Sequence, residues 1–405
     1  MGRSRLLLGA LIAALVSTLV AASGAAATPR PLAMGNYIVV LKGSAGAPGA
    51  VAAHQARTFR ARVGYLYGSA LKGYSATLPL ADVRALRRDP SVAYVAEDRA
   101  VHTDAQTLPT GINRVDGELS STVSGNGRGS VNVDVAVIDT GISTGHPELN
   151  VAGGKACNGT GFNDQNGHGS HVAGIIGARD NSSGVVGVAP GARLWAVRVL
   201  NAQGSGSFAQ VICGVDWVTA HASTIEVANM SLGGPGFDPG AGCSTGDALH
   251  DAICHSVEAG VTYVVAAGNS DTDASGFVPA AYDEVITVSA LADFNGKPGG
   301  GARPTCRSDV DDTRADFSNF GPDVDLIAPG VCILSTFKGT GYATLSGTSM
   351  ASPHVAGAAA LYKSTHPSAS PAAVKTALQA AGNLNWNASD DPDGIKEKLL
   401  NVDAL

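Results

Sequence analysis

At 405 residues the chain is too long for one ordinary domain and long enough to bury a large core. Hydrophobic residues make up 44% and charged residues 15%, which excludes a disordered chain, and the 52 glycines are about twice the usual ~7% share. Charge divides the sequence: residues 30–102 carry ten Lys and Arg against four Asp and Glu, and residues 103–405 carry 15 against 30. A basic segment joined to an acidic domain describes two parts that attract each other, and the acidic part excludes nucleic acid as a partner.

The elements begin with an address. Arg3 and Arg5 precede the apolar run Leu6–Val20, and Ala25-Ala26-Ala27 follows, so residues 1–27 read as a signal peptide. The run is shorter than the roughly 20 residues of a membrane span, and the expectation is a secreted, extracellular protein with no membrane partner. Residues 36–98 then pattern as a small α+β domain. Strands are expected at Asn36–Lys42, Leu71–Leu78 and Val92–Ala96, with helices at Val51–Val63 and Leu80–Arg88. Residues 97–106 are polar, as a linker would be.

Beyond residue 107 strands and helices alternate. Strands are expected at Val131–Ile138, Leu194–Val199, Glu226–Met230, Val261–Ala267 and Val285–Ala290. Helices are expected at His171–Ile176, Ser207–Ala220, Ala248–Ala259 and Met350–Lys363. The alternation predicts an α/β fold, a mostly parallel sheet with helices on both faces and a ligand crevice beyond the strands' carboxyl ends. The six cysteines hold no CxxC pair, and an even count in an exported chain reads as disulfides. Of 15 possible pairings we expect Cys157–Cys213, Cys243–Cys254 and Cys306–Cys332.

Three residues fall where that crevice should be. Asp139 follows the strand ending Val137-Ile138. His168 lies in NGHGSHVAG at the mouth of a helix, and Ser349 lies in GTSMASPH where a loop enters a helix, with Pro353 placed in the first turn. Acyl transfer needs these roles: Ser349 to attack a carbonyl, His168 to carry its proton, Asp139 to fix the imidazole tautomer. Asn269, after the run Val265-Ala266-Ala267, offers a side-chain amide to an oxyanion, and the Ser349 N–H offers a second donor. Alone, Asp139 reads as a turn carboxylate and Ser349 as an N-cap. His168 and His171 have metal-like i, i+3 spacing, but no third ligand stands at a zinc-like distance in sequence. Gly242-Cys243-Ser244-Thr245-Gly246 fits GxSxG but lacks the preceding strand, so Ser244 reads as a loop serine.

Asp139-Thr140-Gly141, HGSHVAG, Ala267-Gly268-Asn269 and GTSMASPHVAG resemble the four signature blocks of the subtilisin-like serine proteases, in the family's order. The resemblance spans about residues 107–365, and NYIVVLK with VAYVAED resembles the family's ferredoxin-like prosegment of the inhibitor I9 type. It implies a serine endopeptidase needing no catalytic cofactor, acting on proteins and peptides, made with a propeptide (28–105) that inhibits a peptidase domain (106–405), and cleaved between His102 and Thr107, nearest Ala105-Gln106. It also implies two substrate-binding segments, Gly204-Ser205-Gly206 and Ser231-Leu232-Gly233-Gly234, with Phe208 and Val211 lining an apolar subsite. Ser270 leaves no charge beside the primary pocket, so cleavage after apolar or aromatic residues is expected. From relatives of the proteinase K type, Asp325 with the carbonyls of Asp283 and Val285 would bind structural calcium. Asp309, Asp311 and Asp312 form an acidic cluster read as a solvated loop. The alternatives are a catalytically silent binding protein of the same shape, a protease confined to one maturation or ligation step, and an α/β-hydrolase. The first would need a missing triad or oxyanion residue, and none is missing. The last is disfavoured by residue order. A monomer is expected.

Overall fold

The computed structural model describes residues 33–98 and 106–405, and the chain divides into two compact units, 1–101 and 102–405. The expected leader and most of the expected processing segment lie outside the described residues. In the first unit β1 (Met34–Leu41), α1 (Pro48–Thr58), β2 (Arg62–Tyr67), β3 (Gly73–Pro79), α2 (Leu80–Leu86) and β4 (Val92–Glu97) follow in order. The sheet is antiparallel throughout, in the order β2-β3-β1-β4, which is the ferredoxin-like arrangement. Val39, Leu41, Tyr74, Ala76 and Leu78 on its inner face pack on Ala52, Val83 and Leu86 of the helices. The helix expected over 51–63 ends at Thr58, and Arg60 takes a left-handed φ of 52°. The residues after it, RVGYLY, are β-branched and aromatic at alternate positions and form β2 on the sheet edge.

The second unit opens with α3 (Thr110–Arg114), β5 (Asp134–Asp139), β6 (Val151–Ala156), α4 (His168–Gly177), β7 (Arg193–Arg198), α5 (Phe208–Ala220), β8 (Val227–Met230) and β9 (Gly234–Pro235). It continues with α6 (Ala248–Glu258), β10 (Thr262–Ala266), β11 (Phe277–Val278), β12 (Ile286–Ala292), β13 (Thr313–Arg314), β14 (Leu326–Pro329), β15 (Ile333–Thr336), β16 (Tyr342–Leu345), α7 (Thr348–Thr365), α8 (Pro371–Ala381) and β17 (Lys398–Leu399). The main sheet runs β17-β14-β12-β10-β8-β5-β7-β6, parallel along that path, with β13 antiparallel on β12.

Both faces are covered because the strands are apolar at consecutive positions. Val135 and Val137 of β5 join the core under α4 and α7, and Ala136 and Ile138 join the core under α5 and α6. Each such side chain contributes roughly 1.5–3 kcal/mol when it is as large as Val or Ile. The chain adds β7 and β6 on one side of β5, then crosses to add β8 and its successors on the other. Asp139 closes β5 at that reversal, where open α/β sheets bind ligands. Strands β6 and β14 were not expected: β6 holds Gly153 and Gly154 and is only half-buried along most of its length, which hides an apolar signal, and β14 is a four-residue run ending in Pro329. The three expected disulfides are formed, with Cα separations of 6.0, 5.2 and 5.8 Å.

Candidate functional site

Asp139 is fully buried, and its carboxylate oxygens lie 2.8 and 2.9 Å from His168 Nδ1. The Thr140 N–H donates to Asp139 Oδ1 at 2.6 Å, so the carboxylate is held in its own turn. His168 is the first residue of α4, three residues earlier than the sequence pattern suggested. The helix comes this close because Gly169 has no side chain. A Cβ there would overlap the Gly141 carbonyl and approach Asp139 Cβ to 3.1 Å.

The sequence reading missed Asp164. Its Oδ1 accepts from Thr140 Oγ1 and from the Asn166 and Gly167 N–H groups, each at 2.9 Å. Its Oδ2 accepts from the Ser170 N–H (2.9 Å) and Oγ (2.6 Å). Thr140 Oγ1 also accepts from the Gly169 N–H at 2.9 Å, so one buried carboxylate ties the Asp139 turn to the first turn of α4. The signal was the acid four residues ahead of a helix N-terminus, where free N–H groups and the dipole favour an anion. Burial works to lower the His168 pKa, but the charge and hydrogen bond of Asp139, with the charge of Asp164, hold it above the ordinary value.

Ser349 is the second residue of α7. Its Oγ donates to the Ser231 carbonyl at 3.2 Å in this structure, rather than to His168. Pro353 stands at the sixth helical position, not in the first turn, and its missing N–H leaves the Ser349 carbonyl without a helical partner. Ser231 Oγ supplies one, at 2.9 Å. Asn269 Oδ1 accepts from the Thr348 N–H (2.8 Å) and Oγ1 (2.9 Å), which fixes the amide and leaves Nδ2 unclaimed. Ser349 N and Asn269 Nδ2 both lie within 3.7 Å of the point that a Gly347 Cβ would take.

A cleft of about 760 Å³ opens beside His168, and Gly204, Ser205, Gly206, Phe208, Val211, Ser231, Leu232 and Gly233 all line it. Residues 204–206 and 231–233 pair with no strand among the described residues; in the first segment the Gly204 N–H donates to the Asn201 carbonyl (3.0 Å), the Ser205 N–H to Asn201 Oδ1 (3.0 Å), and the Ser205 carbonyl accepts from the Asn201 N–H (2.9 Å). His171 is buried and lies apart from this chemistry. Its Nε2 is 3.0 Å from the carbonyls of Ile333 and Ala343, and burial depresses its pKa to about 4, so it stays a neutral donor. Ser244 sits in an exposed loop, as expected.

Two expectations fail. The Asp309, Asp311 and Asp312 cluster is buried, not solvated. Asp311 accepts from the Phe294 and Ala302 N–H groups, Asp312 from the Gly300 N–H and the Arg114 guanidinium, and Asp309 from Arg307 and the Asp316 N–H. These carboxylates supply acceptors to a strand-poor loop that lacks a ladder. The expected calcium ligands Asp325, Asp283 and Val285 do converge, but on the ammonium of Lys375. The point is therefore filled, and the residues present do not fit a metal there.

Comparison with known proteins decides the family. Residues 130–395 match the subtilase family, and residues 36–104 match peptidase inhibitor I9. This chain belongs to the subtilase family. It is 40% identical over 338 residues to subtilisin E of Bacillus subtilis, covering 82% of this chain and 79% of that protein. It is 42% identical over 300 residues to an alkaline protease of Shouchella clausii, covering 74% and 70%. A solved cold-adapted subtilisin-like serine proteinase superposes with a TM-score of 0.59 at 35% identity, over 74% of this chain and 99% of the other. As a subtilase the chain is a serine endopeptidase that acts on proteins, and it carries an inhibitor-type propeptide.

Proposed function

We propose that this subtilase is secreted and cuts extended peptides after apolar or aromatic residues, using Ser349 as nucleophile, His168 as proton carrier and Asp139 as the group that orients it. The observation that carries this reading is the pair of bonds from the buried Asp139 carboxylate to His168 Nδ1. They leave Nε2 as the nitrogen free to take the Ser349 proton. The Ser349 Oγ would release the Ser231 carbonyl to donate to that nitrogen, and such bonds commonly tighten only when substrate binds. The oxyanion then forming would take the Ser349 N–H, at the positive end of α7, and the Asn269 amide that Thr348 holds in place.

The peptide would lie between residues 204–206 and 231–233, which line the cleft outside any strand, and would add to them as an extended segment. We place the propeptide at 28–105 and the mature enzyme at 106–405. In support, Gln106 Nε2 donates to the carbonyls of Arg179 (2.6 Å) and Val185 (2.9 Å), and the Thr107 N–H to that of Gly184 (2.8 Å), so the chain is part of the second unit from there on. The test is a peptide-library profile of the mature enzyme beside its Asn269→Ala variant. We expect cleavage after apolar and aromatic residues, and a fall in kcat with KM little changed. The size expected, roughly 10²–10³-fold, is carried over from an oxyanion donor of this same family. A preference for Lys or Arg before the cut would overturn the specificity, and undiminished turnover in the variant would overturn the site.

A further inference from the structure

The ammonium of Lys375, in the second turn of α8, lies 2.8 Å from Asp325 Oδ2, 2.8 Å from the Val285 carbonyl and 3.2 Å from the Asp283 carbonyl. An ammonium has three N–H donors, and here it meets three acceptors. The carboxylate is otherwise occupied: Asp325 Oδ1 accepts from Gln379 Nε2 at 3.1 Å, and Oδ2 also accepts from the Thr287 N–H at 3.0 Å. Asp325 lies at the head of β14, residues 283–285 lead into β12, and both Lys375 and Gln379 stand on α8. One positive charge thus joins two adjacent strands of the sheet to the helix that covers them. Two carbonyls and a carboxylate are the oxygen ligands that a hard cation such as calcium takes, normally with six to eight oxygens at 2.3–2.6 Å. A divalent ion could not enter while the ammonium sits within hydrogen-bond reach of all three, because two like charges would share one partly buried point.

We propose that Lys375 is a tethered cation that does here what a bound calcium ion would otherwise do, so that chelators leave this point of the fold intact. Being covalently attached, it holds its place at any ion concentration, unlike a ligand whose stabilisation grows with its concentration. The same geometry requires that the cage, once emptied, accept an ion: Lys375→Ala removes the charge and its stem and leaves the three oxygens with room for water to complete a coordination shell.

The experiment measures Tm of the full chain in EDTA and in calcium chloride, in a Ser349→Ala background so that self-digestion cannot interfere, with Lys375 and with Lys375→Ala. Lys375→Met, which keeps the stem, serves as a second variant where the alanine chain does not fold. In EDTA the Ala or Met substitution lowers Tm by about 5 °C, as loss of one partner of a partly buried, hydrogen-bonded charge pair should. Calcium restores a large part of that loss in Lys375→Ala and raises it clearly more than it raises the Lys375 chain. Equal calcium effects on both chains would place any ion elsewhere and overturn the proposal. An unchanged Tm in EDTA after substitution would overturn it as well.

Discussion

Asp164 and His168 show how much of the chemistry rests on a carboxylate that never meets a substrate. Its five hydrogen bonds fix the turn that carries His168, and its charge adds to that of Asp139 in keeping the imidazole pKa raised. With His168 and Ser349 in the proposed roles, the free enzyme should lose activity as pH falls through that raised pKa, because a protonated imidazole cannot accept from Ser349. Asp164→Asn removes one of the charges that favour the protonated form, so the acid limb of kcat/KM against pH moves to lower pH, while kcat at the plateau falls as the turn loosens. An acid limb that stays in place would show that Asp164 acts on geometry alone. At this scale the sequence was informative where a residue stands beside a strong local signal. Asp139, His168, Ser349 and Asn269 each close a strand or open a helix, and the structure gathers them at one end of the sheet. Lys375 was not legible, since its partners lie 50 or more residues away on other elements, whereas Asp164 left a local signal, an acid four residues ahead of α4, that was passed over.

Among the elements, α4 and α7 carry the two side chains proposed to react, each just after an N-cap glycine, Gly167 and Gly347, and in α4 the close approach of backbones falls at Gly169. Gly169→Ala would place a methyl group against the Gly141 carbonyl and the Asp139 side chain, with no flexible side-chain end to yield. We expect this variant to keep most of its stability and to lose at least about tenfold in kcat/KM, because the clash separates Asp139 from His168. Comparing its urea midpoint with its kcat/KM checks this; a variant that loses stability and activity in proportion would contradict the local reading. Strand positions were legible where burial gives a run rich in Val, Ile and Ala, as in β5, β8, β10 and β12, but not in the equally buried, Pro-ended β14. Boundaries were less so, because α1 ends on a left-handed Arg60 and α4 begins on glycine-flanked residues that no apolar period marks. The Pro353 position illustrates the same limit: its helical rank depended on a Ser231 hydroxyl supplied from another strand's end.

At the scale of the whole second unit, a buried acid near the C-terminus makes one contribution to how stability varies with pH. Burial, with the nearby charges of Asp391 and Asp393 adding and that of Arg314 opposing, pushes the Glu397 pKa up to about 8. Below its ordinary value of 4.5 both folded and unfolded chains hold the proton; between 4.5 and about 8 only the folded chain does, so stability is lost as pH rises across that window. Glu397→Gln removes this loss, and its unfolding free energy relative to the parent should rise between pH 5 and pH 8 by on the order of 3 kcal/mol. Denaturant titrations of Ser349→Ala chains at the two pH values measure it, and a parallel shift at both would contradict the assignment. The fold class, the ferredoxin-like first unit and the disulfide pairs were legible from pattern, family resemblance and cysteine number, whereas the metal expectation failed because a lysine 50 residues downstream of Asp325 fills the cage. The most direct test of the central claim is the intact mass of the purified precursor, parent beside Ser349→Ala, each with and without a fluorophosphonate probe. The parent should lose its first segment near Ala105 and gain one probe mass, and the variant should do neither; a folded parent that stays full length and unlabelled would rule out Ser349 as a working nucleophile.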